Sequence, residues 1–240
     1  MKKLIIGALF SSFIIVACNP TPIPDTFVRF VNTMPDSTGV KVFFAQDLIS
    51  GETPVPFKGA FPSLTSFRTE KPTNLTYSLC PADLLDCPTV VKNKTINLVS
   101  NIQNTVFLIG TKMTTDDSGT DARPLEVLNF TSETATPSVG KARIRVLHAL
   151  PNLDAKKLDL YITAPDAALS GFPPELLYKN IFDYRDLTAG SYQIRATAPA
   201  VTDTILVDSG TLALEAGKTY TAVLVKPDVN KLGVILLTDK

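Results

Sequence analysis

The sequence predicts an all-β chain, two tandem antiparallel β-sandwich domains behind an export signal, and three observations predict it. Apolar and polar residues alternate in short runs, the two-residue period of a strand whose side chains point to opposite faces. Turn-forming residues, among them many of the 18 prolines, break these runs about every 8–12 positions, the spacing of a sandwich. The chain also repeats itself. Phe27–Asp36 (FVRFVNTMPD) and Ala142–Asn152 (ARIRVLHALPN) share their beats at a displacement of 116 residues, Arg29 to Arg145. Asn32 then matches His148, Pro35 matches Pro151 and Asp36 matches Asn152. Each copy reads as a strand running into a turn, and two such copies make two related domains.

Length and charge agree. A chain of 240 residues accommodates two domains. Its 23 basic and 23 acidic side chains cancel, which argues against nucleic acid as a partner. Val, Ile, Thr, Tyr and Phe are plentiful in short runs and no long amphipathic window appears, so strands are favoured over helices.

The N-terminus reads as an address. Residues 1–17 combine the basic head Met1-Lys2-Lys3 with the apolar run Leu4–Ala17, whose 14 residues fall short of the ~20 needed to span a bilayer. A signal peptide is the expected reading. Ile15-Val16-Ala17-Cys18 resembles the lipobox of bacterial lipoproteins. That resemblance implies cleavage before Cys18, a diacylglyceryl thioether on its sulfur and an acylated amine, and two or three chains anchor stably where one would not. Membrane lipid is then a partner, and Asn19 at the next position resembles the pattern that permits export to the outer membrane. Residues 18–26, with Pro20, Pro22 and Pro24, form a semi-rigid tether.

The first domain is expected over residues 27–131. Its strands fall near Phe27–Asn32, Val40–Ala45, Ser66–Arg68, Asn74–Leu79, Thr89–Val91, Thr95–Val99, Thr105–Lys112 and Leu125–Phe130. Within it, Cys80 and Cys87 flank a six-residue loop. In an oxidising envelope so close a pair reads as a local disulfide, worth ~2.5 kcal/mol by loop entropy. Zinc needs about four ligands and nothing supplies the others. Residues 132–140 (SETATPSVG) are polar, break the β pattern and form the linker.

The second domain, residues 141–240, repeats the order. Arg143–His148 opens it and Leu158–Ile162 answers Val40–Phe44. Tyr178-Lys179 with Phe182 answers Phe57-Lys58 with Phe61, and Ser191–Ala196 alternates cleanly. Thr211–Leu214 answers Thr95–Leu98, Thr219–Val225 answers Thr105–Ile109, and Gly233–Leu237 closes the domain. Between Thr211–Leu214 and Thr219–Val225, Glu215–Lys218 is a tight turn in which Gly217 takes positive φ without a Cβ clash. Residues 167–180 are expected to be mostly loop, with one helical turn after Pro173-Pro174.

His148-Ala149-Leu150-Pro151, Asp159-Leu160-Tyr161, Ala189-Gly190-Ser191-Tyr192 and Gly217-Lys218-Thr219-Tyr220-Thr221 together resemble the bacterial domain of unknown function 4397. The resemblance covers nearly all of the second half. The first half reads as a degenerate copy, with Asn32 for the His, Thr76-Tyr77 without the Ala-Gly, and Asn101–Asn104 without the glycine turn. The resemblance implies immunoglobulin-like or transthyretin-like sandwiches in a secreted or lipid-anchored envelope protein, with no catalytic activity attached.

Candidate chemistry is sparse. His148 is the one side chain with an ordinary pKa near neutrality. It either reaches a ligand from a strand end or bonds the turn backbone, and Asn32 in the other copy favours the second, since an amide bonds likewise but shuttles no proton. Asp116, Asp117 and Asp121 crowd a hairpin tip, where calcium is conceivable, but the spacing lacks an EF-hand's twelve-residue loop and distal Glu. A solvated tip is the preferred reading. Arg143 and Arg145 share a strand face, expected to be solvated and paired with carboxylates such as Asp159. No nucleophile elbow, zinc-binding helix pair or phosphate-cradling loop is present. The expected function is therefore non-catalytic binding or scaffolding at the surface of a bacterial envelope, with an envelope protein or a glycan as partner and no cofactor. A glycan-binding module is the alternative, and a hydrolase ranks below it.

Overall fold

A computed structural model describes residues 25–34, 39–44, 47–48, 55–57, 60–61, 67–68, 74–81, 91–110, 126–132, 135–151, 153, 157–170, 175–228 and 231–239. Every element among them is a strand. The first half contains β1 (Asp25–Asn32), β2 (Val40–Phe44), β3 (Asp47–Leu48), β4 (Ala60–Phe61), β5 (Phe67–Arg68), β6 (Asn74–Pro81), β7 (Val91–Asn97), β8 (Gln103–Ile109) and β9 (Glu126–Thr131). The second contains β10 (Lys141–His148), β11 (Lys157–Thr163), β12 (Glu175–Leu177), β13 (Ile181–Thr188), β14 (Gly190–Thr197), β15 (Ile205–Leu214), β16 (Thr219–Asp228) and β17 (Lys231–Thr238).

These strands form four sheets, two per half, in matching order. The first half has β4-β1-β8-β9, with β5 also on β1, and β3-β2-β6-β7. The second has β13-β10-β16-β17 and β12-β11-β14-β15. The register matches too. Phe27 pairs with Gln103 and Asn32 with Leu108. Arg143 pairs with Thr219 and His148 with Leu224, which are the same pairs moved by the 116-residue displacement.

The expectation of purely antiparallel sheets is corrected here. β1 and β8 run parallel, as do β10 and β16. Alternation of residue type shows that a segment is a strand but says nothing of its partner, and these partners are separated by the whole other sheet of their half. Parallel strands need such crossovers and are normally buried on both faces. That holds here: β8 is buried at six of seven positions and β10 at six of eight.

Three apolar clusters account for this double burial. Val28 and Phe30 of β1 and Val106 and Leu108 of β8 meet Val40, Val42 and Ile96 in the first half. Ile144 and Val146 of β10 and Tyr220, Ala222 and Leu224 of β16 meet Leu158, Leu160, Ile194 and Val207 in the second. The side chains on the opposite faces of the same four strands form a seam between the halves. Val31, Phe107 and Ile109 pack there with Leu147, Val223 and Val225.

Smaller differences have local causes. The expected strands Thr89–Val91 and Thr95–Val99 are a single strand, β7. The helical turn expected after Pro174 is strand β12, because Leu176 lies opposite Leu158 and is buried to 3%. Asp25 and Thr26, expected before the first strand, already belong to β1 through pairing with Arg68 and Phe67. Cys18, Cys87, Asp116, Asp117, Asp121 and the signal segment lie outside the described residues, and of Cys80 only the backbone is described, opposite Lys41.

Candidate functional site

The densest buried chemistry lies on the seam. β1 and β10 each bury an arginine against the other half, Arg29 and Arg145, and the two are 7% and 5% exposed. Both reach the carboxylate of Asp239, just after β17, whose side chain is fully buried. Arg29 Nη2 donates to Oδ1 at 2.5 Å, and Arg145 Nη2 lies 3.8 Å from Oδ2. Thr221 and Tyr184 hydroxyls donate to Oδ2 at 2.5 and 2.9 Å. The Tyr184 ring also receives the Arg145 guanidinium, 4.5 Å from its centroid.

Other donors of the two guanidiniums bond within their own half or across the seam. Arg29 Nη1 donates to the carbonyl of Thr238 at 2.8 Å and Nη2 to Thr105 Oγ1 at 3.0 Å. Arg145 Nη1 donates to the carbonyl of Thr131 at 2.8 Å and Nε to Thr221 Oγ1 at 2.8 Å. At the rim, Lys179 Nζ donates to Glu126 Oε1 at 2.5 Å, another bond between the halves. A buried guanidinium is costly unless it is paired and hydrogen-bonded, and the Asp239 carboxylate with these carbonyl and hydroxyl acceptors offsets much of that cost, although Arg145 Nη2 stands 3.8 Å from the carboxylate, beyond hydrogen-bond reach.

This corrects the reading of Arg145 as part of a solvated face paired with carboxylates such as Asp159. Arg143 alone behaves in that way, bonding the exposed Asp186. Asp159 instead accepts from the backbone N–H of Ala200. The error arose because β10 is covered on both faces, and alternation along one strand cannot reveal a second cover. Arg195, on β14, donates to Thr163 Oγ1 and to the Ala167 carbonyl, holding a loop.

His148 ends β10 and is fully buried. Its Nδ1 accepts from the backbone N–H of Leu150 at 3.2 Å, and its ring meets Tyr178 edge-on, with centroids 5.7 Å apart. Burial lowers its pKa from 6.5 to about 4, so the ring is neutral at pH 7. A proton acceptor at Nδ1 leaves the hydrogen on Nε2, which meets no acceptor among the described residues. In the other half Asn32 Oδ1 accepts from the N–H of Met34 at 3.0 Å, the same bond two residues ahead. The turn-holding role weighed for His148 is what its geometry performs.

Sequence reading missed Asp239 altogether. Its signal was present only in hindsight: an acidic residue directly after the final apolar strand, with nothing to tie it to arginines 210 and 94 positions away. It also missed that Asn104 and Tyr220 brace the same turn in the two halves. Asn104 Oδ1 accepts from the N–H of Val99, and Tyr220 Oη accepts from the N–H of Glu215. The residue at φ > 0 in that turn is Gly217 in one half and Asn101 in the other, at 79° and 60°. The glycine turn that the first half lacked by sequence is therefore made with asparagine, which tolerates this conformation.

Among the described residues no three His, Cys, Asp or Glu side chains converge to hold a metal ion. Chemically the seam cluster fixes position and charge. It exposes no nucleophile and no base to solvent.

Residues 142–240 match the family of domains of unknown function DUF4397. The match begins one residue into β10 and covers the second half. No curated protein matches the chain. Among solved structures, a leucine-rich repeat protein from Bacteroides thetaiotaomicron shares 13% identity over 88% of this chain, at a TM-score of 0.21. This chain spans 27% of the length of that protein. At such a score the likeness bears on neither fold nor function.

Proposed function

We propose that this protein is a lipid-anchored cell-envelope protein whose two halves serve a non-catalytic binding or scaffolding role at the surface of a bacterial cell. The observation that carries the reading is the seam. Arg29, Arg145 and Asp239, the buried charges that a catalytic centre would draw on, are committed to joining the two halves. A chain that spends its buried charge in this way is suited to presenting a fixed surface.

The finer architecture belongs to the same proposal. Each half is a two-sheet sandwich of the immunoglobulin-like or transthyretin-like kind, and the first is a degenerate copy of the second. Their common strand order and register support this. The signal peptide, acylation of Cys18 and a Cys80–Cys87 disulfide rest on sequence. Membrane lipid is the first partner, and an envelope protein or glycan is the second.

Fractionation of cells expressing the full chain tests the address. The wild type is expected with the membranes and open to protease added to intact cells, and Cys18→Ala is expected in the soluble fraction. Membrane retention of that variant rejects the anchor. A turnover by the purified protein that is lost on one substitution rejects the non-catalytic role.

A further inference from the structure

The seam has an internal symmetry that its buried carboxylate breaks. Each apolar residue at its centre has its repeat counterpart on the other side: Val31 with Leu147, Phe107 with Val223, and Ile109 with Val225. The edge strands continue the pattern. Leu128 lies opposite Phe107 and Ile235 opposite Val223, and both belong to the seam. The polar bonds are reciprocal as well. Arg29 reaches the carbonyl of Thr238 across the seam, and Arg145 reaches the carbonyl of Thr131 in return. Each arginine also donates to the threonine beside it in register, Thr105 or Thr221. Such mutual contact of like surfaces is the signature of a two-fold interface, here closed within one chain.

The counterpart of Asp239 is Ser132. Thr131 and Thr238 end the two edge strands, opposite Asn104 and Tyr220. The N–H of Ser132 donates to the carbonyl of Gln103 at 2.8 Å, and the N–H of Asp239 donates to that of Thr219 at 2.7 Å. Ser132 is 4% exposed, and its Oγ has no hydrogen-bond partner among the described residues. One seat thus holds a carboxylate shared by both arginines, and the related seat holds a small hydroxyl that bonds nothing.

We propose that the two halves form an internal two-fold pair held in register by a single buried carboxylate, and that either of two related seats, residue 239 or residue 132, can supply it. The charge tally gives the reason. Opposed guanidiniums in a dry seam repel unless an anion lies between them, and one carboxylate has two oxygens with which to serve both. The identity of the half that provides it is immaterial if the interface is symmetric. Ordinary packing of two unrelated surfaces would not allow the charge to be moved across.

The test is a charge transfer in the full chain, with Asp239→Ser, Ser132→Asp and the double variant. Calorimetry counts the unfolding transitions, and limited proteolysis times cleavage of the joining segment. Asp239→Ser is expected to split the shared transition and to speed cleavage by roughly a hundredfold, the scale of an uncompensated buried charge. The double variant is expected to recover one transition and the larger part of the protection. Recovery is incomplete because Tyr184 donates only to the seat at 239. If Asp239→Ser does not fold, restored folding in the double variant supports the proposal. A double variant no better than Asp239→Ser overturns it, and so does an Asp239→Ser chain that matches the wild type.

Discussion

The corner after the opening strand is built twice with different side chains. In the first half Asn32 receives the N–H of Met34, and in the second His148 receives the N–H of Leu150. Both side chains are fully buried. The asparagine also donates, to the carbonyl of Val55 at 3.2 Å, whereas the imidazole Nε2 meets no acceptor among the described residues. The shared bond identifies what the position does: it closes the corner. The unshared part, a ring whose burial disfavours protonation, makes only the second half's corner sensitive to acid.

The largest effect expected from this comparison concerns the seam. Phe107→Ala should cost about 3–5 kcal/mol in denaturant unfolding, as large as Phe30→Ala within the first-half core, because both rings are fully enclosed. A cost below about 1 kcal/mol for Phe107 alone would make the seam a loose contact and remove the basis for treating the halves as one body.

Next comes the corner itself. The folded-state pKa of His148 lies near 4, below the 6.5 of the unfolded chain. As pH falls from 6.5 towards 4, the unfolded chain takes up a proton that the folded chain refuses. Stability is then full above 6.5, declines through that window by about 3 kcal/mol, and levels off below it. His148→Asn should flatten this decline while preserving the corner bond. An equally steep pH profile in the variant would assign the acid sensitivity to other groups.

The bracing turn offers a smaller contrast. Asn101→Gly should stabilise the chain by about 0.5–1 kcal/mol, because glycine reaches positive φ without strain. Gly217→Val should destabilise by about 1–2 kcal/mol, although a Cβ there meets nothing within 4 Å. Thermal midpoints would decide both, and equal effects at the two sites would deny that the turns are equivalent.

The smallest effect is expected at the exposed pair. The Arg143 hydrogen bond holds the Asp186 carboxyl below its usual range, so this pairing contributes fully above the ordinary carboxylate pKa and is lost as pH falls through the lowered one. Solvent and salt screen it. Asp186→Asn should leave the midpoint at pH 7 unmoved, and a clear drop would show that the open side of sheet β13-β10-β16-β17 is more than a solvated rim.

Strand positions were legible because alternation is a local signal, and Arg29 and Arg145 were legible as a matched pair because the stretches around them share a pattern. Their partner was not. Asp239 lies at the end of the chain, next to one arginine only through β10–β16–β17 and next to the other only through the seam. The parallel pairing of β1 with β8 was hidden for the same reason, since nothing in either segment names the other.

By itself the sequence determined that this chain is built of strands, that its two halves echo each other, and that Asn32 and His148 occupy one position in that echo. Residue type and spacing encode these features because side-chain direction along a strand depends only on the residue's place in it. The tertiary structure alone decided that β1, β8, β10 and β16 are covered on both faces, that their arginines are buried rather than solvated, and that one carboxylate serves two guanidiniums. Those outcomes depend on which surfaces meet, and burial is a property of the meeting of surfaces, which no single segment contains.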